Sequence, residues 1–189
     1  MVKVKDKIIV VGCPRSGTGY ASKFFNIGHE ELNKNGISSW CLVFNNVLYG
    51  PNLQQVKNFF KNSEVKIYHQ VRNPLKVISS FQSMSPRAHD YFIKELNLSN
   101  LSSFLEKYIK IWVETNKKCE LISEFTYQLE NIETTFPDIL PYKNKNYNTR
   151  KHSAFNINDF NNIEDKILLR EFKDLSSKYG YILEKNNII

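Results

Sequence analysis

The chain is poor in cysteine and has no long apolar run. Three of its 189 residues are cysteines (Cys13, Cys41 and Cys119), and their wide spacing argues against a disulfide framework and against a zinc site. No apolar stretch approaches the roughly 20 residues that cross a bilayer. The charged start is followed by an apolar run too short for a signal peptide. We therefore expect a cytoplasmic protein without a membrane span.

Arginine is also scarce, at five residues against 21 lysines, so lysine supplies the generic positive charge. The net charge is +7, and residues 1–75 carry ten Lys/Arg against four Asp/Glu. A small anionic ligand explains this balance as well as a nucleic acid does. Three arginines, Arg15, Arg72 and Arg150, lie in segments that we assign to a ligand, because the guanidinium fork suits phosphate and sulfate oxygens. The length and the 41% hydrophobic content predict a single domain over residues 1–189.

The segment Gly12–Tyr20 lacks the Gly-Lys-Ser/Thr ending of a Walker A loop. It follows a predicted buried strand, Ile8–Val11, and precedes a predicted helix. A strand, a glycine-bearing loop and a helix start present backbone N–H groups to an anion. The basic residue, Arg15, stands inside the loop, so the segment predicts an anion cradle that differs from a nucleoside-triphosphate loop.

Other phosphate and nucleotide motifs fail on spacing. A cysteine phosphatase needs Cys-x5-Arg, but Gly19 stands six residues after Cys13. A kinase needs the loop lysine and an acidic magnesium ligand, whereas the predicted strand Val65–Val71 is followed by Arg72. The GxGxxG signature of dinucleotide-binding folds is absent.

Apolar patterning predicts strands that alternate with helices, which favours an α/β fold: a three-layer parallel sheet flanked by helices. The loops after such strands meet at the carboxyl edge of the sheet, where ligands bind. The predicted strands are Lys7–Val11, Ile27–Gly28, Val65–Val71 and Cys119–Ser123. The predicted helices are Thr18–Phe25, Trp40–Leu48 with Ser38-Ser39 as its cap, Pro51–Asn62, Pro74–Met84, Leu101–Thr115, Tyr127–Thr135 and Asp165–Lys178. A polar turn is predicted at Asn33–Ile37 and a basic loop at Pro141–Ser153.

A second predicted anion site is Arg72-Asn73-Pro74 with Ser80 eight residues after Arg72. Arg72 ends a predicted strand, Pro74 opens a helix, and Ser80 lies two turns into it. Arg15 and Arg72 then both follow carboxyl ends of parallel strands. Two cationic clusters on one edge suit a ligand with two separated anionic groups.

These two motifs resemble those of the sulfotransferases that use 3′-phosphoadenosine 5′-phosphosulfate (PAPS). Pro14–Thr18 is similar to the family's 5′-phosphosulfate loop, and Arg72–Pro74 with Ser80 is similar to its 3′-phosphate site. A weaker match, Asn148–His152, resembles a late basic segment of bacterial members. The resemblance implies a short bacterial or viral type of sulfotransferase-like domain with a phosphosulfate-binding loop similar to a P-loop, and it implies PAPS as donor.

The resemblance also implies residue roles. Arg15 takes the place of the family's loop lysine and would stabilise charge on the departing phosphate; Arg72 and Ser80 would bind the 3′-phosphate. Tyr20 matches an aromatic residue that stacks on adenine, with core packing as the alternative. The donor-binding set is Pro14, Arg15, Ser16, Gly17, Thr18, Gly19, Tyr20, Arg72, Ser80, Arg150 and Lys151. The product would be 3′,5′-bisphosphoadenosine (PAP), and no metal is implied.

Sulfuryl transfer needs a base for the acceptor, and Glu30 is our first choice, with His29 second. Both follow the short strand after the first predicted helix, and the family uses a glutamate or a histidine. The alternative for His29 is a structural hydrogen bond near the cradle. We interpret His69 as a packed strand residue and Glu124 as a structural anchor.

We therefore predict an enzyme that transfers a sulfuryl group from PAPS to a hydroxyl or amine of a glycan or small metabolite. One alternative is a non-catalytic nucleotide- or nucleic-acid-binding module, which the basic loop Lys143–Lys151 with its two tyrosines favours. The other is a divergent nucleotide kinase, which Arg15 in place of the loop lysine disfavours. We expect no nucleic-acid partner.

Overall fold

The computed structural model describes residues 6–45, 48–101, 103–139 and 154–183. The chain divides into two compact units. The first is Met1–Val71 with Thr115–Asn148, and the second is Arg72–Glu114 with Thr149–Ile189. The expectation of a single domain stays a prediction.

A five-stranded, all-parallel sheet forms the centre of the first unit. Its strands lie in the order β2-β3-β1-β4-β5. Ile9 of the central strand pairs with Ile37 on one side and with Ile67 on the other. The strands are β1 (Lys7–Gly12), β2 (Gly28–His29), β3 (Gly36–Ser38), β4 (Val65–Val71) and β5 (Phe125–Gln128). The predicted α/β class with a parallel sheet flanked by helices is confirmed.

Seven α-helices occur in the described part of the chain. They are α1 (Thr18–Phe24), α2 (Leu53–Phe59), α3 (Pro74–Ser80), α4 (Pro86–Glu95), α5 (Phe104–Glu120), α6 (Ile132–Thr135) and α7 (Lys166–Lys178). Short 3₁₀ turns lie at Cys41–Val43, Phe81–Ser83, Leu98–Asn100, Leu129–Asn131 and Ile157–Asn162. None of the helices described here has the length and apolar content to cross a membrane.

Successive residues of β1 point to opposite faces of the sheet, and an apolar cluster that includes helix residues covers each face. Ile8 and Val10 belong to a buried cluster with residues in and next to α1 and α6: Tyr20, Ala21, Phe24, Phe25, Ile27, Tyr127, Ile132 and Phe136. Ile9 and Val11 belong to the opposite cluster with Ile37, Leu42, Val56, Phe60, Ile67 and Cys119. The core of the first unit is therefore two apolar layers, one on each face of the sheet.

The second unit is built from helices in its described residues. Trp112 packs edge-on against Phe172, with ring centroids 5.2 Å apart, and Phe160 stacks on Phe172 at 5.3 Å. Asp165 begins α7 by accepting a hydrogen bond from the Leu168 N–H at 2.9 Å. The predicted terminal helix is confirmed, and Gly180 follows its end with φ 79°.

Three element predictions are wrong. Cys119–Ser123 is no strand, because α5 continues to Glu120 and buries Cys119 against the sheet. The predicted helix Tyr127–Thr135 is replaced by β5, a 3₁₀ turn and the four residues of α6. Among the described residues of Trp40–Leu48, only the 3₁₀ turn Cys41–Val43 forms. The predicted polar turn is present, since Asn33 and Gly36 exchange backbone hydrogen bonds, but β3 begins within its predicted bounds, at Gly36.

Candidate functional site

The loop between β1 and α1, Cys13–Gly17, has an unusual backbone. Gly17 has φ 99° and Arg15 has φ 68°, so the chain enters the left-handed region twice within three residues. Such turns direct successive N–H groups into a concave surface. Gly12 allows the loop to lie close to β4, since a Cβ there would stand 2.7 Å from the Gln70 carbonyl oxygen and from Ser16 Oγ.

Gln70 anchors the loop from beneath. Its side-chain amide donates to the Ser16 carbonyl at 3.0 Å, and the Tyr127 hydroxyl donates to Gln70 Oε1 at 2.8 Å. The Ser16 N–H donates to the Cys13 carbonyl at 3.0 Å. Gln70 and Tyr127 were not predicted as loop-anchoring residues. Their pairing across β4 and β5 brings them together, and that pairing is not visible in the local sequence.

The hydroxyl of Ser16 is buried without a hydrogen-bond partner among the described residues. Ser16 is 1% exposed, and within the described ranges its Oγ makes no hydrogen bond. Buried polar atoms without a partner are rare in native proteins and call for an explanation such as a missing ligand. Ser16 therefore fits the predicted role of an anion-binding residue.

The other predicted loop residues surround Ser16 in sequence and differ in exposure. Pro14 and Thr18 are buried, and Arg15 is partly exposed. Tyr20 packs in the core cluster below the sheet edge, and its hydroxyl donates to Glu133 at 3.5 Å. Core packing was the alternative for Tyr20, and adenine stacking stays a prediction.

Both candidate bases lie beside the first turn of α1. His29 ends β2 and Glu30 follows it, and His29 Nε2 lies 3.8 Å from Glu30 Oε1. The same ring nitrogen lies 3.4 Å from Thr18 Oγ1. A Cβ placed on Gly19 would meet the His29 ring at 3.6 Å, an ordinary contact. The structure thus brings His29 and Glu30 next to the loop.

Desolvation shifts the pKa values of both Glu30 and His29. Desolvation raises the pKa of Glu30 from 4.5 to about 7, against hydrogen bonds from Ser39, the Trp40 backbone and Cys41 that lower it. Desolvation also lowers the pKa of His29, against the charge of Glu31, which raises it. A carboxyl group with a pKa near the working pH is suited to accept a proton.

Arg15 and Glu30, both predicted site residues, have a strained backbone. Four non-glycine residues among those described have positive φ: Asn26, Asn97, Arg15 and Glu30. Asparagine tolerates this region, whereas arginine and glutamate rarely occupy it. Strain of this kind clusters at functional sites and is held by the surrounding structure.

The second predicted anion segment begins where β4 ends. Arg72 directly follows Val71, and the Asn73 side chain accepts a hydrogen bond from the Lys76 N–H at 3.2 Å, with Pro74 opening α3 as predicted. Ser80 is 4% exposed, and its hydroxyl donates to the Val77 carbonyl at 2.9 Å. Arg72 and Ser80 belong to the second unit and the β1–α1 loop to the first. Arg150 and Lys151 lie outside the described residues.

His69 and Glu124 have the structural surroundings expected of them. His69 is fully buried, with Nε2 at 2.9 Å from Asn116 Oδ1 and Nδ1 at 3.3 Å from Thr126 Oγ1. Glu124 accepts a hydrogen bond from the Ile67 N–H at 3.3 Å and so ties β4 to the start of β5.

Comparison with known proteins yields no relative: no family model, no curated protein and no solved structure matches this chain. Among the described residues, no group of three or more His, Cys, Asp and Glu side chains could hold a metal ion.

Proposed function

We propose that the chain is an enzyme that transfers a sulfuryl group from PAPS to a hydroxyl or amine of a glycan or small-molecule acceptor. The observation that carries this proposal is the position of the strain. Arg15, predicted to bind the phosphosulfate, and Glu30, predicted to be the base, are the two described residues whose positive φ their side chains do not favour. The unpartnered Ser16 hydroxyl supports an anion in the same loop.

The donor supplies an activated sulfonate, and transfer breaks its S–O bond to the 5′-phosphate and forms a new bond to the acceptor. Glu30, as carboxylate, takes the proton from the acceptor hydroxyl or amine. His29 lies beside it, with Nε2 3.8 Å from Glu30 Oε1, and desolvation lowers the pKa of His29, which disfavours a cation there. Arg15 neutralises the charge that develops on the departing phosphate, and Ser16 and Thr18 bind its oxygens.

Donor binding is tested with two isomeric nucleotides, the 3′,5′-bisphosphate PAP and the 5′-diphosphate ADP, in thermal-shift and calorimetric titrations. We expect PAP to raise the Tm more than ADP, AMP or ATP does, because Arg72 is proposed to bind the 3′-phosphate. Arg72→Ala should lower PAP affinity about 10- to 100-fold and leave ADP affinity unchanged, as a lost charge-assisted hydrogen bond predicts.

Lys76→Ala is the matched control, because Lys76 is an exposed cation on α3, the helix that begins two residues after Arg72. It should retain the preference for PAP. Equal binding of PAP and ADP by the wild-type chain would contradict the proposal and would favour the alternative of a general nucleotide-binding module.

Transfer is tested by incubating the chain with labelled PAPS and a panel of glycan and small-molecule acceptors. Glu30→Gln should keep PAP binding and lose about 10²- to 10⁴-fold in transfer rate, the usual contribution of a positioned base. Glu31→Gln is the control, since Glu31 is the exposed neighbour in sequence. If Glu30→Gln transfers at the wild-type rate, Glu30 is not the base and His29 takes its place.

A further inference from the structure

The Glu30 carboxyl group accepts hydrogen bonds from Ser39, from the Trp40 backbone and from Cys41, and the Ser39 bond is made to a defined oxygen. The Ser39 hydroxyl donates a hydrogen bond to Glu30 Oε2, and the same hydroxyl accepts one from the Cys41 N–H at 3.0 Å. Because the Ser39 oxygen accepts the Cys41 N–H, the Ser39 hydroxyl proton is directed at the Glu30 carboxylate. The other carboxylate oxygen, Oε1, is the one that lies 3.8 Å from His29 Nε2.

The backbone holds Ser39 and Glu30 in register. The Glu30 N–H donates to the Ser38 carbonyl at 3.0 Å, and the Ser39 N–H donates to the Val10 carbonyl at 3.0 Å. Ser39 is 1% exposed, so water does not replace its hydrogen bond. The residue follows β3 at the same sheet edge at which Glu30 follows β2.

We propose that Ser39 is a positioning residue for the base: its hydrogen bond to Glu30 Oε2 orients the carboxylate that accepts the acceptor's proton. This inference rests on the proposed function. The titratable groups near Glu30 are His29 and Cys41, and burial raises the pKa of Cys41 to about 12, so its thiol stays neutral in the working range.

The chain provides a matched control in the adjacent serine. Ser38 is also fully buried, but its hydroxyl makes no hydrogen bond within the described part of the chain. Ser38→Ala and Ser39→Ala thus remove the same atom from equally buried neighbours, and only the second removes a contact with Glu30. Ser39→Cys, nearly isosteric and a weak donor, serves if Ser39→Ala fails to fold.

The test is a carboxyl ¹³C NMR titration of glutamate-labelled protein, with Glu30→Gln identifying the Glu30 signal. Losing the Ser39 donor removes a bond that favours the carboxylate, so the Glu30 midpoint should rise by about one pH unit in Ser39→Ala. Ser38→Ala should leave the midpoint in place. An unchanged midpoint in Ser39→Ala and Ser39→Cys overturns the positioning role, whatever reaction the chain catalyses.

The pH profile of kcat in the transfer assay provides a second test. The pH profile of kcat should shift to higher pH in Ser39→Ala by the same amount as the titration, and Ser39→Thr, which keeps the hydroxyl, should restore it. A titration that shifts without any shift in the kcat profile overturns the role of Ser39 in catalysis. A wild-type chain that transfers nothing from PAPS overturns the proposed function itself, so the two failures are read from different measurements.

Discussion

The two segments predicted to bind anions, Gly12–Tyr20 and Arg72–Ser80, differ in how completely their own structure satisfies them. In the first, Arg15 has a left-handed backbone and the Ser16 hydroxyl has no partner among the described residues. In the second, Asn73 caps α3 and the Ser80 hydroxyl bonds to the Val77 carbonyl. The second segment is an ordinary, well-capped helix start.

This difference separates two kinds of support. Strain and a buried hydroxyl without a partner among the described residues are costs that folding alone does not explain, so the structure of the first segment supports the proposed anion site. The second is supported by the spacing of its residues and by the resemblance. The following experiments bear on that contrast, beginning with the one for which we expect the largest effect.

Gly12→Ala should destabilise the first segment most. The new Cβ would stand 2.7 Å from the backbone oxygen of Gln70, which moves only with β4, so we expect a loss of about 3 kcal/mol in unfolding free energy. Gly19→Ala is the control, because its Cβ meets the His29 ring at 3.6 Å and alanine favours a helix. Chemical denaturation measures both, and equal losses would contradict a tightly packed loop.

The pH dependence of the unfolding free energy tests the raised pKa of Glu30. Because folding raises the pKa of Glu30 from 4.5 to about 7, the folded state binds the proton more tightly. This contribution is fully present below pH 4.5 and is lost as the pH rises through 7. Glu30→Gln should therefore match the wild type near pH 4 and exceed its unfolding free energy by about 2 kcal/mol at pH 8. The same difference at both pH values would be inconsistent with a buried, titrating Glu30.

Two substitutions of Arg15 isolate its backbone strain. Arg15→Ala and Arg15→Gly both remove the guanidinium, and only glycine relieves the left-handed φ of 68°. Arg15→Gly should be more stable than Arg15→Ala by about 1 kcal/mol in thermal or chemical unfolding, while both lose PAP binding. If alanine proves as stable as glycine, the loop adopts another backbone in solution.

Serine-to-alanine substitutions compare the two segments directly and have the smallest effect. Ser80→Ala removes a formed hydrogen bond and should cost about 1 kcal/mol, whereas Ser16→Ala removes an unpaired hydroxyl and should be neutral or slightly stabilising. Ser16→Ala should nevertheless reduce the Tm shift that PAP produces. A destabilisation by Ser16→Ala equal to that of Ser80→Ala would show that Ser16 has a structural partner.

Elements with a strong local pattern were predictable from the sequence. The central strand β1 is a buried apolar run, β4 begins with apolar residues at alternate positions, and α7 has a capping aspartate and a terminal glycine. Elements defined by pairing were not. β3 has three residues and exists through its contacts with β1, and β5 is a short, partly exposed strand beside β4. The prediction at Cys119–Ser123 failed because a short stretch with a few apolar residues fits a helix end as well as a strand, and Leu121 in it is exposed.

The candidate site divides in the same way. Arg15 and Glu30 were identified from residue type and position along the chain. Ser39 was interpreted as a helix cap because β3 was missed, and with that strand in place Ser39 falls beside Glu30 at the sheet edge. Gln70 is a fully buried residue next to the end of β4, and nothing in the local sequence distinguishes a polar residue that anchors a loop from one that only packs in the strand.

Gln70 has a consequence for the rate at which a ligand is captured. Its side chain connects the Ser16 carbonyl to the Tyr127 hydroxyl and so fastens the loop to two strands before any ligand is present. A preorganised loop spends little binding free energy on ordering itself. Association of an anion should then be limited by diffusion and orientation, and slow loop closure should not appear in stopped-flow traces.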